Sequence, residues 1–525
     1  MPSLSSSVDV LFRCDASISI GTGHLLRCKS LANLLIRRGC RVVFFCRDHN
    51  DSLHSELLSG EFEYINLPLR TLSIAESSSS LYSQWLGCSQ RQDFIDCKEA
   101  IGQLHGFHPS LVVCDHYGLD LVWEALIHES YDSKVLAIDD LANRRHSAYW
   151  LLDSTRIKCW LDSSYGDSTS NLLLGPWFSF QTPDYLPFRQ ELRVRREVKY
   201  ILVFFGGADQ SNWTLAALKV LSQPQFSHLV VDVVLGANAP HLESIAQFVS
   251  TFNSWTLHIG IPSLAFLVSK ADLALGAGGV HSWERVCLGL PAVAMSVADN
   301  QNELLSGLSE AGALELIHAS TYDDAIDLFS TALSNLLASP NKVSSMSQIS
   351  QTLVDGFGIN RVVATLLGFS GSFSLRHANL LDLGLYFWWV NDPTVRKSSL
   401  ISDYVEFDDH FQWFSSKLRS KLALMFVMCC DDGLPVGQIR FEKHVGSNRV
   451  LVSLSLDRIA RRKGLASVLL EMGISKLTEI WGSGIELLAH VKSDNLSSSN
   501  VFLSAGFSMV TSHFENVYSY TKLID

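Results

Sequence analysis

The stretch RCDASISIGTGHLLRCKSLANLLIRRG, Arg13–Gly39, constrains the fold of this chain more than any other. An apolar run, Val8 to Phe12, leads into it and reads as a strand. Gly21 and Gly23 break regularity just before His24. Leu25, Cys28, Leu31, Leu34 and Leu35 then recur at helical spacing until Gly39 stops the helix. Arg41–Cys46 follows as a second strand, so the stretch is a βαβ unit. Its glycine turn delivers a histidine to a helix N-terminus, where backbone N–H groups favour anions such as phosphate. An imidazole there can move a proton near neutral pH. A histidine at this place also serves simply to cap a helix. GTGH is shorter than a dinucleotide fingerprint, and no acidic residue closes Arg41–Cys46 in the usual way, so pattern alone leaves both readings open.

The next strands carry polar residues at their carboxyl ends. Leu111–Cys114 runs into Asp115-His116-Tyr117-Gly118, and Val135–Ile138 into Asp139-Asp140 and Leu141-Ala142-Asn143-Arg144. An open α/β sheet lines a ligand crevice in this way, although each carboxylate is also a common helix cap. The Ser-rich stretch around Ser77–Ser80 reads as a loop, and Trp85–Cys97 as the beginning of a helix. Leu174-Gly175-Pro176 and Pro183–Pro187 read as a connection between lobes. The architecture then restarts with strand Tyr200–Phe205, turn Gly206-Gly207-Ala208-Asp209, helix Trp213–Leu221 and strand Leu229–Leu235. Within Asp272–Gln301 a strand ends in Gly276-Ala277-Gly278-Gly279, and a helix from about His281 carries Glu284. Gly289-Leu290-Pro291 closes that helix, and a further strand ends in Asp299-Asn300-Gln301. The GAGG turn is either a packing turn or a set of N–H donors for a diphosphate.

Around Ser370–Ser374 the character changes. Ser374-Leu375-Arg376 opens a strand, and Leu380–Lys397 reads as an amphipathic helix ending in Asn391-Asp392-Pro393. Strands Ala423–Met428 and Val436–Phe441 flank the hairpin turn Asp431-Asp432-Gly433. Strand Val450–Leu456 is followed by Arg461-Arg462-Lys463-Gly464-Leu465-Ala466 and a helix, Ser467–Glu479. Alone, a basic turn of this kind is most often simply solvated; consecutive N–H groups beside a glycine that permits close approach would also suit a pyrophosphate, with the basic side chains offsetting its charge.

At 525 residues the chain has length for about three domains. A net charge of −12 argues against a nucleic-acid partner, because phosphate contacts need a basic surface. The eleven cysteines are scattered without zinc spacing, which points to buried reduced thiols in a cytoplasmic protein. MPSLSSSVDV lacks the basic and apolar regions of a signal peptide, and no apolar run reaches the ~18 residues of a membrane span.

Arg13, Asp15, Ile20, Gly21, Gly23, His24, Arg27 and Cys28 together resemble the N-terminal signature of the UDP-2,4-diacetamido-2,4,6-trideoxy-β-L-altropyranose hydrolases of pseudaminic acid synthesis. The Asp115-His116-Tyr117-Gly118 and Asp139–Arg144 strings are similar too, and the likeness spans residues 8–365. The resemblance implies two Rossmann-like lobes of GT-B type, as in the N-acetylglucosaminyltransferase that completes lipid II. It implies an inverting, metal-independent hydrolysis with His24 as general base. Arg13, Asp15, Gly21, Gly23, Arg27, Asp115, Tyr117, Asn143 and Arg144 would meet the substrate. Gly206, Gly207, Gly276, Gly278, Gly279, Glu284 and Gln301 would hold UDP, with Glu284 on the ribose and catalytic Asn300 beside Gln301 at the sugar–phosphate junction.

Residues 372–525 resemble the GNAT-type N-acetyltransferases. Arg461, Arg462, Lys463, Gly464, Leu465 and Ala466 would bind acetyl-CoA, joined by Asn495 and Ser498 of a second signature that runs through Phe502, Gly506 and Phe507. The Asn391–Arg396 string, NDPTVR, is typical of the branch that acetylates amino sugars and protein N-termini. Phe502 stands where many relatives place a tyrosine that protonates the leaving thiolate, so Tyr518, Tyr520 or water would serve instead. Glu442, on a strand face with Gln438 and Arg440, is a candidate general base through water.

The expectation is an α/β chain of three parts: an N-terminal Rossmann-like lobe over residues 1–190, a UDP-binding lobe over 191–370 and a GNAT domain over 371–525. It would acetylate the 4-amino group of a UDP-amino sugar with acetyl-CoA and hydrolyse the UDP-diacetamido product to UDP and free sugar, with no metal and no membrane or nucleic-acid partner. A GT-B glycosyltransferase, a non-catalytic UDP-sugar-binding module, or the same steps on an isomeric legionaminic- or bacillosamine-type sugar are the alternatives.

Overall fold

The computed structural model describes residues 8–18, 20–70, 81–157, 164–166, 168–444, 446–512 and 514–524. The expected loop at Ser77–Ser80 lies outside them. The chain divides into two compact units, Met1–Val363 and Ala364–Asp525.

The first unit holds two parallel sheets. The first comprises β1 (Asp9–Cys14), β2 (Arg41–Arg47), β3 (Glu63–Leu67), β4 (Pro109–Asp115), β5 (Lys134–Ile138), β6 (Trp150–Asp153) and β7 (Asn171–Leu174). Its strand order is β3-β2-β1-β4-β5-β6-β7. β1 is buried at every position, as a strand covered on both faces must be, which is why it reads as an apolar run rather than an alternation. The second sheet comprises β8 (Tyr200–Phe204), β9 (Val230–Leu235), β10 (Trp255–Ile259), β11 (Leu273–Ala277), β12 (Ala292–Met295) and β13 (Leu314–Ile317). Its order, β10-β9-β8-β11-β12-β13, repeats that of the first. In each sheet the chain works outward in one direction from the first strand and then returns to its other side. The order therefore reverses between β1 and β4, and again between β8 and β11. Loops diverge at such a reversal and leave a crevice beyond the strand ends.

The second unit is built on one sheet: β14 (Phe373–His377), β15 (Ala423–Cys430), β16 (Pro435–Lys443), β17 (Arg449–Leu456), β18 (Ile485–Lys492), β19 (Ser508–Val510) and β20 (Val517–Ile524). The order is β14-β15-β16-β17-β18-β20-β19. All neighbours are antiparallel except β17 and β18, which pair only from Arg449–Leu451 to Glu486–Leu488. Beyond that register the two strands part and form a fork.

Two helical expectations need correction. Trp85–Cys97 is not continuous: one helix ends at Leu86, Gly87 turns at φ +73°, and Ser89 caps a new helix, Gln90–Gln103. Leu380–Lys397 does end its main helix, Leu383–Asn391, at the expected Asn391-Asp392-Pro393, but a 3-10 turn at Leu380–Asp382 precedes it and a second helix, Pro393–Ser398, capped by Asp392, follows. Proline cannot continue the first helix but is well placed in the first turn of the next. Trp388 and Trp389 are both buried, so each belongs to the core.

The ten described cysteines are all free and buried. Burial raises the thiol of Cys28 to about 11 and that of Cys287 to about 12. No helix among the described residues is long and apolar enough to cross a membrane.

Candidate active sites

His24 and Asp115 meet at the first strand reversal. The helix Gly23–Arg37 begins immediately after the turn, with Gly21 at φ +86°. This sets the His24 ring over the carboxyl end of β4, where Nδ1 lies 2.7 Å from Asp115 Oδ1. Arg27, one helical turn on, points the same way and grips Asp115 through Nε and Nη2, each at 2.6 Å. Burial alone would raise the Asp115 carboxyl, but the Arg27 guanidinium and His24 outweigh it and hold it well below the usual carboxylate range. A permanently charged Asp115 takes the proton on Nδ1 and leaves the Nε2 lone pair to act as a base.

Around this pair Arg27 Nη1 reaches Asp140 at 2.7 Å, and the Tyr117 hydroxyl donates to Asp140 at 2.6 Å. The Tyr117 ring stands edge-on to His24 at 4.5 Å, with Trp85 6.5 Å from His24. Burial, with the Asp140 charge, holds the Tyr117 phenol well above its usual value, so it stays protonated. The Asn300 side chain of the second lobe offsets part of this rise, so the two lobes converge here. Arg156 and Glu303, 2.9 Å apart, join the lobes nearby.

Some expected contacts lie elsewhere. Arg13 and Asp15 are fully buried at the end of β1 and do not face the crevice. Arg13 is spent on Asp15 at 2.6 Å and on Asp93 at 2.7 Å, and Asp15 also accepts from the Arg47 backbone. They fix the base of the turn that carries His24. Arg144 donates to Leu119 O and Asp139 and lies 5.5 Å from the Tyr117 ring, so it braces that ring, while Asn143 is exposed beside it. Asp140 and Trp85 were not singled out as site residues. The first stood in a string of carboxylates indistinguishable from caps, and the second followed a Ser-rich stretch with no periodicity to place it.

At the second reversal, Gly206 and Gly207 follow β8 and face open space. Gly278 and Gly279 follow β11 and lead into the helix Val280–Cys287. Gly279 has φ +95°, and a side chain on Gly278 would strike Gln301, whose Cβ would lie 2.9 Å away. Gly276 corrects an expectation: it lies within β11, where an added Cβ would stand 2.2 Å from Phe204 O, so it serves strand packing. Glu284 accepts from His281 at 2.6 Å and Gln301 Oε1 from Val297 N at 3.1 Å, so a ligand at either must compete with these bonds.

In the second unit the turn after β17 brings Arg462 (φ +59°) and Gly464 (φ +75°) ahead of the helix Leu465–Trp481. Two left-handed residues beside a helix N-terminus aim successive N–H groups at one point, which suits a pyrophosphate. The Arg461 side chain donates to Leu456 O and pairs with Asp392 at 2.9 Å, which leaves the backbone of the turn to face a ligand. Lys463 lies 4.4 Å from the Phe369 ring. Asn495 Oδ1 accepts from Ser498 N at 3.1 Å and caps the helix Leu496–Ser504. Glu442 is occupied by two cations, Lys417 on one carboxylate oxygen and Arg440 on the other, so as a base it would compete with both. Arg396 is occupied by the carbonyls of Val390, Ile401 and Asp403. Tyr520 is buried and stacked on Phe502, whereas Tyr518 is exposed.

Residues 385–507 match the family model of the acetyltransferase (GNAT) family. The chain is 23% identical over 363 residues to the spore coat polysaccharide biosynthesis protein SpsG of Bacillus subtilis, covering 67% of this chain and 96% of that protein. It is 23% identical over 304 residues to the UDP-2,4-diacetamido-2,4,6-trideoxy-beta-L-altropyranose hydrolase of Campylobacter jejuni, covering 58% of this chain and 97% of that one. The crystal structure of Acinetobacter baumannii MurG is similar with a TM-score of 0.46 and 14% identity, over 68% of this chain and 98% of that one. In this chain, two parallel-sheet lobes homologous to the Campylobacter hydrolase and to SpsG thus precede a GNAT acetyltransferase domain.

Proposed function

We propose that this sugar-nucleotide enzyme performs two successive steps on one UDP-linked amino sugar. The second unit acetylates the 4-amino group of a UDP-4-amino-4,6-dideoxy-2-acetamido sugar with acetyl-CoA. The first unit then hydrolyses the UDP-2,4-diacetamido-2,4,6-trideoxy-β-L-altropyranose product to UDP and free sugar. Homology to the Campylobacter hydrolase and the GNAT match support the two halves. The observation that carries the hydrolytic half is the Asp115-braced His24 at the strand reversal, facing Asn300 from the other lobe.

In this reading UDP lies on the second lobe, its diphosphate on the N–H groups around Gly206-Gly207 and Gly278-Gly279. His24 Nε2 accepts a proton from water as the water oxygen bonds to the anomeric carbon. The bond from that carbon to the diphosphate oxygen breaks, and UDP leaves with the electron pair. Attack opposite the leaving group inverts the centre. Arg27 and Asp140 hold the base and the Tyr117 phenol in place. Acetyl-CoA lies with its pyrophosphate on the Arg462–Gly464 turn. Acetylation comes first because the UDP handle supplies remote binding energy that positions a small amine.

Mass spectrometry of the UDP-amino sugar and acetyl-CoA with the full chain tests this. Addition of one acetyl group followed by UDP release is expected. His24→Ala should lower UDP release by about 10²–10⁴-fold while acetylated UDP-sugar accumulates. UDP release at the full rate in that variant would remove His24 from the reaction.

A further inference from the structure

We propose that His490 is the proton acceptor of the acetyl-transfer step. The inference rests on reading the second unit as an amino-sugar N-acetyltransferase, and it names the base which that reading lacks once Glu442 is occupied.

The argument begins with register. β17 and β18 stay paired up to Leu451 and Leu488 and then diverge. His490 is two residues beyond Leu488, level with Ser453, and is therefore the first residue on its face of β18 inside the fork. From the Leu456 end of β17 down to Leu451 is five residues, ~16 Å of strand. An extended pantetheine arm is of similar length. A coenzyme with its pyrophosphate on the Arg462–Gly464 turn thus brings its thioester to the fork beside His490.

The face is also the required one. The helix Leu465–Trp481 covers the side of the sheet carrying Ile439 and Phe441, since a side chain on Gly473 would strike both. Gln438, Arg440 and Glu442 alternate to the opposite side, and the register carries that side through Leu451 to Leu488 and His490. The coenzyme enters from the helix side, which leaves the His490 side for the amine. The segment between Lys397 and Ser402 borders this face, tied to it by Lys492, whose Nζ bonds Lys397 O at 2.9 Å and Ser402 Oγ at 3.0 Å.

The imidazole is prepared for the task. Directly across on β20, the buried Ser519 places its Oγ 2.9 Å from His490 Nδ1. With Nδ1–H donating to Ser519, the Nε2 lone pair is the acceptor. Phe514 stands edge-on to the ring at 5.3 Å and excludes water from one side. Burial, and then the nearby His444, push the imidazole below its ordinary value, so it is unprotonated at neutral pH. Other charges near this face are engaged or exposed: Lys492 as above, Glu486 paired with Arg449 at 2.7 Å, and Glu515 exposed in the loop with Phe514.

His490 Nε2 takes one proton from the sugar ammonium. The free amine adds to the thioester carbonyl carbon, forming the C–N bond. Collapse of the tetrahedral adduct breaks the C–S bond, and the second amine proton passes to the departing thiolate to give coenzyme A. The imidazolium returns its proton to solvent.

The test uses the full chain with acetyl-CoA and a UDP-linked 4-amino-4,6-dideoxy-2-acetamido sugar, read by thiol release. His490→Gln should lower kcat/KM by about 10²–10⁴-fold and abolish the imidazole limb of the wild-type pH profile, leaving a rate that rises with hydroxide. The dissociation constant for acetyl-CoA should not change, which separates lost chemistry from lost fold. Ser519→Ala should displace the same limb and lower the rate less. A His490→Gln enzyme with the wild-type rate and pH profile would overturn the assignment and leave the acetyltransferase reading intact. A wild-type enzyme inert toward the UDP-amine would overturn that reading and this assignment with it.

Discussion

Arg13 shows how little a residue's type says about its task. Arg13 was expected to meet the substrate, yet Arg13 and Arg47 are fully buried and share Asp93. Such groups are costly to desolvate and are retained only when every charge is matched. The same economy governs His146, whose buried ring lies between Glu124 at 2.6 Å and Asp139 at 3.4 Å. Burial would lower this imidazole, but the two carboxylates prevail and raise it to about 9. The folded state therefore binds the proton more tightly than the unfolded chain. The stabilisation is complete below the unfolded value of about 6.5 and is lost as pH rises through about 9; it amounts to about 3 kcal/mol at most. His146→Gln should flatten the decline in Tm between pH 6.5 and 9.5. A decline as steep as that of the wild type would deny the residue this role. None of this was legible beforehand: His146, Glu124 and Asp139 are brought together by folding, and no spacing marks them. The place of His24 at a helix start was legible because strand, turn and helix lie within one local stretch, whereas its partner Asp115 is 91 residues away and no spacing marks it.

Elements were easier to read than contacts. Most strands could be placed because each is a short apolar run with a polar or glycine stop, a pattern set by burial on both faces of a parallel sheet. A break inside a helix was missed where an apolar period continues across the stop, as at Gly87, whereas the stop at Asn391-Asp392-Pro393 was read because proline cannot continue a helix. Glycine-rich turns were the hardest to interpret, because strand packing and ligand approach demand the same residue. The structure separates them. Gly276→Ala should lower stability by about 3 kcal/mol, since the new methyl meets a backbone carbonyl that cannot yield. Gly207→Ala enters open space and should leave Tm nearly unchanged while weakening UDP binding. Unchanged UDP affinity in Gly207→Ala, measured by calorimetry, would take this turn out of the diphosphate site.

At the scale of the whole molecule, compactness breaks between Val363 and Ala364, within the helix Gly358–Leu367. A cut should fall after that helix, so fragments 1–370 and 371–525 should each fold, the first releasing UDP and the second acetylating. Loss of both reactions on separation, measured against the intact chain, would mean that the units depend on one another to fold. The buried thiols have a practical consequence. A chain whose ten described cysteines are all inaccessible presents an almost blank background to maleimide dyes. Cys159, outside the described residues, is the first to replace. Cysteines introduced at the exposed Glu99 and Glu243, one on each lobe, can then carry a donor and an acceptor fluorophore. The crevice between the lobes becomes a distance that can be followed in real time as nucleotide arrives and departs.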